Sequence, residues 1–252
     1  EYILECEFIP FATGVDGEPV AYNFKVDPHL LIAGASGGGK SVLLQSLAYG
    51  ALIRGYELYV ADPTKGGADF KFAEPYAKAF TATPFEAAAM MKGIYNEVLR
   101  RKNLNTAHGV GNYRDLPAGV RPKHIVILLD EFTSLMGQDP VPPASDDPDM
   151  DIERDMIIAT NRAKTEIGVY TGKIAREARS AGVTLFLATQ KLSAKMLDTI
   201  PGAGDLKVNL SRLLLGKATY GDKQSALRAP QDAPDLGDSI PAGRGLFETT
   251  AG

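Results

Sequence analysis

The residues in this chain with the greatest capacity for chemistry are Gly34-Ala35-Ser36-Gly37-Gly38-Gly39-Lys40-Ser41. Glycine at Gly34, Gly37, Gly38 and Gly39 lets backbone N–H groups close on an anion with no Cβ in the way. Lys40 is spaced to neutralise β- and γ-phosphate oxygens, and the Ser41 hydroxyl to ligate Mg²⁺. The apolar run Leu30-Leu31-Ile32-Ala33 precedes the loop and the helix-like Val42-Leu43-Leu44-Gln45-Ser46-Leu47-Ala48 follows it. That is the strand–loop–helix setting of a phosphate-binding P-loop; a coincidental Gly-rich turn has no reason to carry such flanks. All eight residues are candidate nucleotide ligands. No His–acid pair adjoins Ser41, so its hydroxyl reads as a metal ligand and not as a nucleophile.

A second constellation, Leu128-Leu129-Asp130-Glu131, ends an apolar strand in two acids, the Walker B pattern. Asp130 is placed to hold Mg²⁺, directly or through water, and Glu131 to polarise an attacking water as general base. Taken alone, the pair reads equally well as acids complementing a helix N-terminus; beside a P-loop, catalysis is the better reading. A GTPase switch more usually shows a glycine soon after the aspartate, whereas an adjacent glutamate suits an ATPase, so Mg-ATP is the expected ligand. A third strand, Val183-Thr184-Leu185-Phe186-Leu187-Ala188, leads into Thr189-Gln190. If it lies next to the Asp130 strand in a parallel sheet, Gln190 is at the ligand edge, able to sense the γ-phosphate or its water.

These groups need a scaffold that brings strand ends together. Residues from about 2 to 25 read as short strands around Thr13-Gly14-Val15-Asp16-Gly17, a hairpin signal. Strands are expected at 30–33, 57–61, 124–129, 183–188 and 210–216. Helices are expected from Ser41 to about Ile53, with Gly55 at the C-terminal cap, from Phe85 to about Asn103 with Met90, Ile94, Val98 and Leu99 toward one face, and from Ile152 to about Ala181. Residues 137–151, rich in Pro and Asp, read as a mobile loop. The tail after Ala229 reads as loop until Gly245. Alternating strands and helices imply an α/β, doubly wound, mostly parallel sheet flanked by helices. Residues 1–27 form a small β appendage to a nucleotide-binding unit over 28–252.

Composition limits the alternatives. The chain has 252 residues, 44% hydrophobic and 23% charged, enough for a sizeable core. No apolar run approaches a bilayer span. The N-terminus lacks a signal-peptide pattern and an initiator Met, as expected of a domain excised from a longer protein whose membrane anchor would lie elsewhere. One cysteine, Cys6, excludes an internal disulfide framework and suits a reducing, cytoplasmic setting. His29, His108 and His124 lack metal-ligand spacing and read as structural. A net charge of −4 argues against a uniformly basic nucleic-acid surface but not against a local ring of Lys and Arg.

Taken together, His29-Leu30-Leu31-Ile32-Ala33-Gly34, Leu129-Asp130-Glu131 and Ala175-Arg176-Glu177-Ala178-Arg179-Ser180-Ala181-Gly182 leading into Leu187-Ala188-Thr189-Gln190 resemble the motor domain of the FtsK/SpoIIIE family, over roughly Pro28 to Leu215. Asp62-Pro63-Thr64-Lys65-Gly66-Gly67 resembles the family's Asp-Pro-Lys segment. Lys191-Leu192-Ser193 departs from its usual Arg-Pro-Ser, and this stretch of sequence is expected to lack the family's winged-helix domain and membrane segments. The stretch Thr165-Glu166-Ile167-Gly168-Val169-Tyr170 looks closer to mobile-element transfer members.

The resemblance implies a RecA-like ATPase that assembles as a hexameric ring and moves double-stranded DNA, in conjugal transfer or DNA partitioning. It implies an arginine finger supplied in trans, placed by the match at Arg179, with Arg176 and Arg212 as weaker candidates. DNA-contacting loops are expected within Arg154–Lys164 or Lys191–Lys195. A type VII secretion-like ATPase moving protein substrates is the alternative.

Overall fold

The turn at Gly14–Gly17 folds the first strands into a hairpin. Strand β1 (Phe8–Thr13) pairs antiparallel with β2 (Pro19–Asn23), with an irregularity between Pro10 and Ala12. This computed structural model describes residues 7–63, 65–190, 208–237 and 240–250. Cys6, Thr64, Lys191-Leu192-Ser193 and the expected contact segment Lys191–Lys195 lie outside them.

The central sheet is built from β3 (His29–Gly34), β4 (Glu57–Ala61), β5 (Ala79–Thr81), β6 (Ile125–Leu129), β7 (Val183–Thr189), β8 (Leu210–Leu215) and β9 (Gly245–Glu248). Its order is β5-β4-β6-β7-β3-β8-β9, parallel throughout except for antiparallel β9. Strands β3, β6, β7 and β8 are buried along their whole lengths, which explains the apolar runs Leu30–Ala33, Ile125–Leu129, Leu185–Ala188 and Leu213–Leu215 within them. The fold is the expected doubly wound α/β type.

Helix α1 (Lys40–Ile53) lays Leu44, Leu47, Ala48 and Ala51 on one sheet face, in a core shared with Ile9, Tyr22 and Phe24 of the hairpin region. It ends in a Schellman motif: Gly55 takes φ +70°, its N–H donates to the Leu52 carbonyl (2.9 Å), and the Tyr56 N–H donates to the Ala51 carbonyl (3.1 Å). Helices α2 (Pro84–Ala107) and α4 (Pro148–Glu177) cover the opposite face through Met91, Ile94, Val98, Ile167 and Ile174. Two shorter helices are α3 (Phe132–Met136) and α5 (Tyr220–Ala226).

Two expectations are corrected. Leu99 is 39% exposed, because it is rotated about 100° from buried Val98 around the helix axis. Helix α4 starts at Pro148, four residues before the expected Ile152, so the end of the supposed loop is helical. Asp147 caps it by accepting the Asp149 N–H, Pro148 occupies the first turn, and Asp149 and Asp151 face the dipole. Strand β5 and helix α5 were not anticipated from the pattern; both are too short to show a periodicity. Among the described residues no helix is long and apolar enough to cross a membrane.

Candidate active site

Strand β3 delivers Gly34 to a place where the β8 backbone runs so close that a Cβ would meet the Leu215 carbonyl at 2.8 Å. The loop then turns through Gly37 (φ +80°) and Gly39 (φ +97°), conformations that L side chains rarely adopt. Gly39 also abuts Gly243, whose N–H donates to the Gly38 carbonyl at 3.0 Å. The loop is thus braced by a segment some 200 positions later in the chain. Helix α1 begins at Lys40, aiming its free N–H groups and the positive end of its dipole at the turn.

Strand β7 lies between β3 and β6, so the P-loop and the acidic pair leave the same sheet edge two strand spacings apart, about 10 Å. Lys40 spans that gap: its Nζ lies 3.3 Å from Glu131 Oε2, with both side chains largely buried. Asp130 is 3% exposed. Burial pushes the Asp130 carboxyl above its ordinary value; Lys40 opposes the shift and the Asp62 carboxylate adds to it.

Glu131 is the one described non-glycine residue with positive φ (+48°). Its carboxylate accepts from the Thr133 hydroxyl (2.8 Å), the Thr189 hydroxyl (3.0 Å) and the Gln190 backbone N–H (3.1 Å). Burial alone would raise its pKa, but these donors and the Lys40 ammonium hold it below the usual glutamate value. Glu131 is therefore ionised at neutral pH and fixed in direction, as a general base requires. Gln190 joins the site through its main chain, and its side chain is exposed at the same edge.

Ser41 Oγ donates to Asp69 Oδ2 at 2.9 Å, and Lys65 pairs with that same carboxylate. Donating its proton leaves the Ser41 oxygen lone pairs free to face a cation. Asp62, at the end of β4, is fully buried, and its Oδ2 has no hydrogen-bond partner among the described residues. The oxygen-only donor set of Ser41, Asp130 and this orphaned carboxylate oxygen fits a hard divalent cation such as Mg²⁺. No described group of three or more His, Cys, Asp or Glu side chains forms a complete metal cage.

Four residues join the site in roles that the motifs do not assign: Asp62 and Thr189, which lie inside quoted motifs, and Thr133 and Asp69, which do not. Asp62 carried a legible signal, an acid ending a strand as Asp130 does. Thr133, Thr189 and Asp69 carried none, because they reach Glu131 or Ser41 only through the folded backbone.

Arg179 lies elsewhere. It opens the turn before β7, at the sheet edge opposite the P-loop, and its Nη2 donates to the Lys25 carbonyl at 3.1 Å. The length of β7 separates it from Gln190 by roughly 20 Å, so it cannot reach the phosphate site of its own chain. Arg176 ends α4 beside Glu177. Arg212 is buried on β8, with Nη1 near the Ala226 carbonyl. In Arg154–Lys164, Arg162 projects into solvent while Lys164 is tied to Asp139, 2.7 Å away.

His29 and His124 are interior. His29 Nδ1 accepts the Leu185 N–H and its Nε2 lies 3.1 Å from the Ala175 carbonyl; His124 bridges Tyr113 and Thr184. His108 is exposed at the end of α2, its Nδ1 bonded to the Leu104 carbonyl. A cavity of about 1120 Å³ opens beside the P-loop, lined by Gly39, Val42, Phe11, Leu227, Leu236 and Phe247 among others.

Comparison with known proteins places these features in context. The model of the FtsK/SpoIIIE family matches residues 7–194. The DNA translocase FtsK of Caldanaerobacter subterraneus subsp. tengcongensis is 30% identical over 209 residues, 79% of this chain and 25% of that protein. The chain spans about a quarter of the length of the curated relatives it matches. Among solved structures, the pCW3 conjugation coupling protein TcpA, in a monomer form with ATPγS, superposes with TM-score 0.77 at 24% identity, covering 98% of this chain and 64% of that one. The cytoplasmic domain of the Thermomonospora curvata type VII secretion ATPase EccC gives 0.68 at 22%, covering 96% and 27%. At these identities the structural likeness establishes the fold.

Proposed function

The chain belongs to the FtsK/SpoIIIE family, and on that premise we propose that it hydrolyses ATP to move double-stranded DNA. The observation that carries this reading is the 3.3 Å approach of Lys40 to Glu131, which joins the P-loop and the acidic pair in one site. In the proposed cycle the triphosphate takes the place of Glu131 as the partner of Lys40. The P-loop amides and Lys40 stabilise the β- and γ-phosphates, and the nucleoside extends past Gly39 and Val42 into the adjoining cavity. On this reading the N-terminal hairpin, through Phe11, is a wall of the nucleotide site. Glu131 takes a proton from the attacking water, and Gln190 relays loss of the γ-phosphate to the segment that follows it. Ser41 and Asp130 would hold Mg²⁺, which when bound neutralises charge on the phosphate oxygens.

The position of Arg179, on the edge away from its own P-loop, suits a finger offered to a neighbouring subunit, and with it a homo-hexameric ring. DNA contacts are proposed near Lys191–Lys195 and the exposed part of Arg154–Lys164. The likeness to TcpA favours a role in conjugal transfer, at the cytoplasmic face of a membrane if the parent protein carries an anchor. The fold is shared with EccC, so a polypeptide cargo is the reading to test against. ATP hydrolysis measured with duplex DNA, without it, and with a secretion-signal peptide, alongside mass in solution, separates the two. Stimulation by duplex DNA is expected; stimulation by the peptide alone would overturn the proposal.

A further inference from the structure

We propose that Asp62 is a further carboxylate that holds the divalent cation of the bound nucleotide, beside Ser41 and Asp130; this rests on the nucleotide reading above. In the sheet register Ala61 faces Leu129, and the Asp130 N–H donates to the Ala61 carbonyl at 3.0 Å. Asp62 and Asp130 therefore leave adjacent parallel strands side by side, at the edge where the P-loop lies. Asp62 is fully buried, and its two oxygens differ. Oδ1 accepts the Lys65 N–H at 3.1 Å, whereas Oδ2 has no partner among the described residues. A buried carboxylate oxygen without a donor is unfavourable unless something cationic satisfies it. The two nearby ammonium groups are engaged elsewhere, Lys40 with Glu131 and Lys65 with Asp69. One or two carboxylates, a hydroxyl and phosphate oxygens make the kind of shared, partly hydrated shell that Mg²⁺ accepts.

The competing role for Asp62 is purely local: Oδ1 fixes the turn that begins at Pro63. Asp62→Asn keeps that acceptor and removes the charge. The test measures affinity of the whole chain for ATPγS in EDTA and in Mg²⁺, and Mn²⁺ affinity of the ADP-bound protein by electron paramagnetic resonance. We expect Asp62→Asn to leave the EDTA affinity within about twofold and to reduce the Mg²⁺-dependent gain and the Mn²⁺ affinity by about tenfold, a typical cost of losing a metal-supporting group. Asp62→Ser, also neutral and able to accept the turn bond, serves if the Asn variant does not fold. A full Mg²⁺ gain and unchanged Mn²⁺ affinity in the neutral variant would overturn the proposal. Asp130→Asn distinguishes the two levels. If it loses the gain while Asp62→Asn keeps it, only the assignment of Asp62 fails; if neither variant loses it, the metal–nucleotide reading of the site fails as well.

Discussion

At the residue scale, Glu131 concentrates the chemistry. Its left-handed backbone costs of order 1–3 kcal/mol for a side chain with a Cβ. The Thr133, Thr189 and Gln190 donors hold it there, with the carboxylate aimed at Lys40. Glu131→Gln should lower ATP turnover by at least about 100-fold while nucleotide affinity stays within a few-fold, as measured by steady-state hydrolysis and equilibrium binding. The pKa of Glu131 lies below its ordinary value of 4.5, so the base is charged above that pH and is lost only as pH falls through the depressed value. The acid limb of kcat/KM, which reports the nucleotide-free protein, should accordingly sit below about pH 4.5. Thr133→Val removes one donor to the charged form and should move that limb upward, a shift that a merely structural threonine would not produce.

At the element scale, the interior of the sheet depends on neutral histidines and one glycine. His29 is pushed down to about 4 by burial, and His124 falls well below the usual range for the same reason. Both bind protons more readily in the unfolded chain, so stability should fall as pH drops from about 6.5 toward 4. His29 alone accounts for about 3 kcal/mol of that loss. Denaturant unfolding between pH 7 and 4.5 checks this; a flat profile would contradict it. Gly182 sits between α4 and β7 with φ +72°, and a Cβ there would lie 2.6 Å from the Tyr113 ring. Gly182→Ala should destabilise the domain by about 2–4 kcal/mol through backbone strain and overpacking, read as a lower urea midpoint at unchanged slope.

At the scale of the whole molecule, the separation of Arg179 from its own Lys40 makes activity a property of an assembly in the proposed mechanism. Rings mixed from Arg179→Ala and Lys40→Ala subunits should recover part of the hydrolysis that each variant lacks alone. An intact P-loop in one subunit would then meet an intact arginine from the next. No recovery across mixing ratios, with mixed rings verified by mass, would rule out Arg179 as the finger. Elution as a monomer at concentrations where hydrolysis is fast would rule out the ring itself.

The motifs determined the ligand class and the fold because both are local. A glycine-rich turn, its flanking strand and helix, and a strand ending in Asp130-Glu131 occupy contiguous residues, so periodicity and backbone demands write them directly into the chain. Short or one-sided elements escaped: three-residue β5 has no period to read, and Leu99 differs from Val98 only by its angle about the helix axis. The supporting roles of Thr133, Thr189 and Asp69 were decided by the tertiary structure alone, whereas Asp62 shows in the sequence as an acid ending a strand. Whether such a residue touches Glu131, Ser41 or Asp130 depends on β7 threading between β3 and β6, and on β4 pairing with β6 in one register. Those are long-range choices set by burying two faces of a single sheet, and no neighbouring residue in sequence records them.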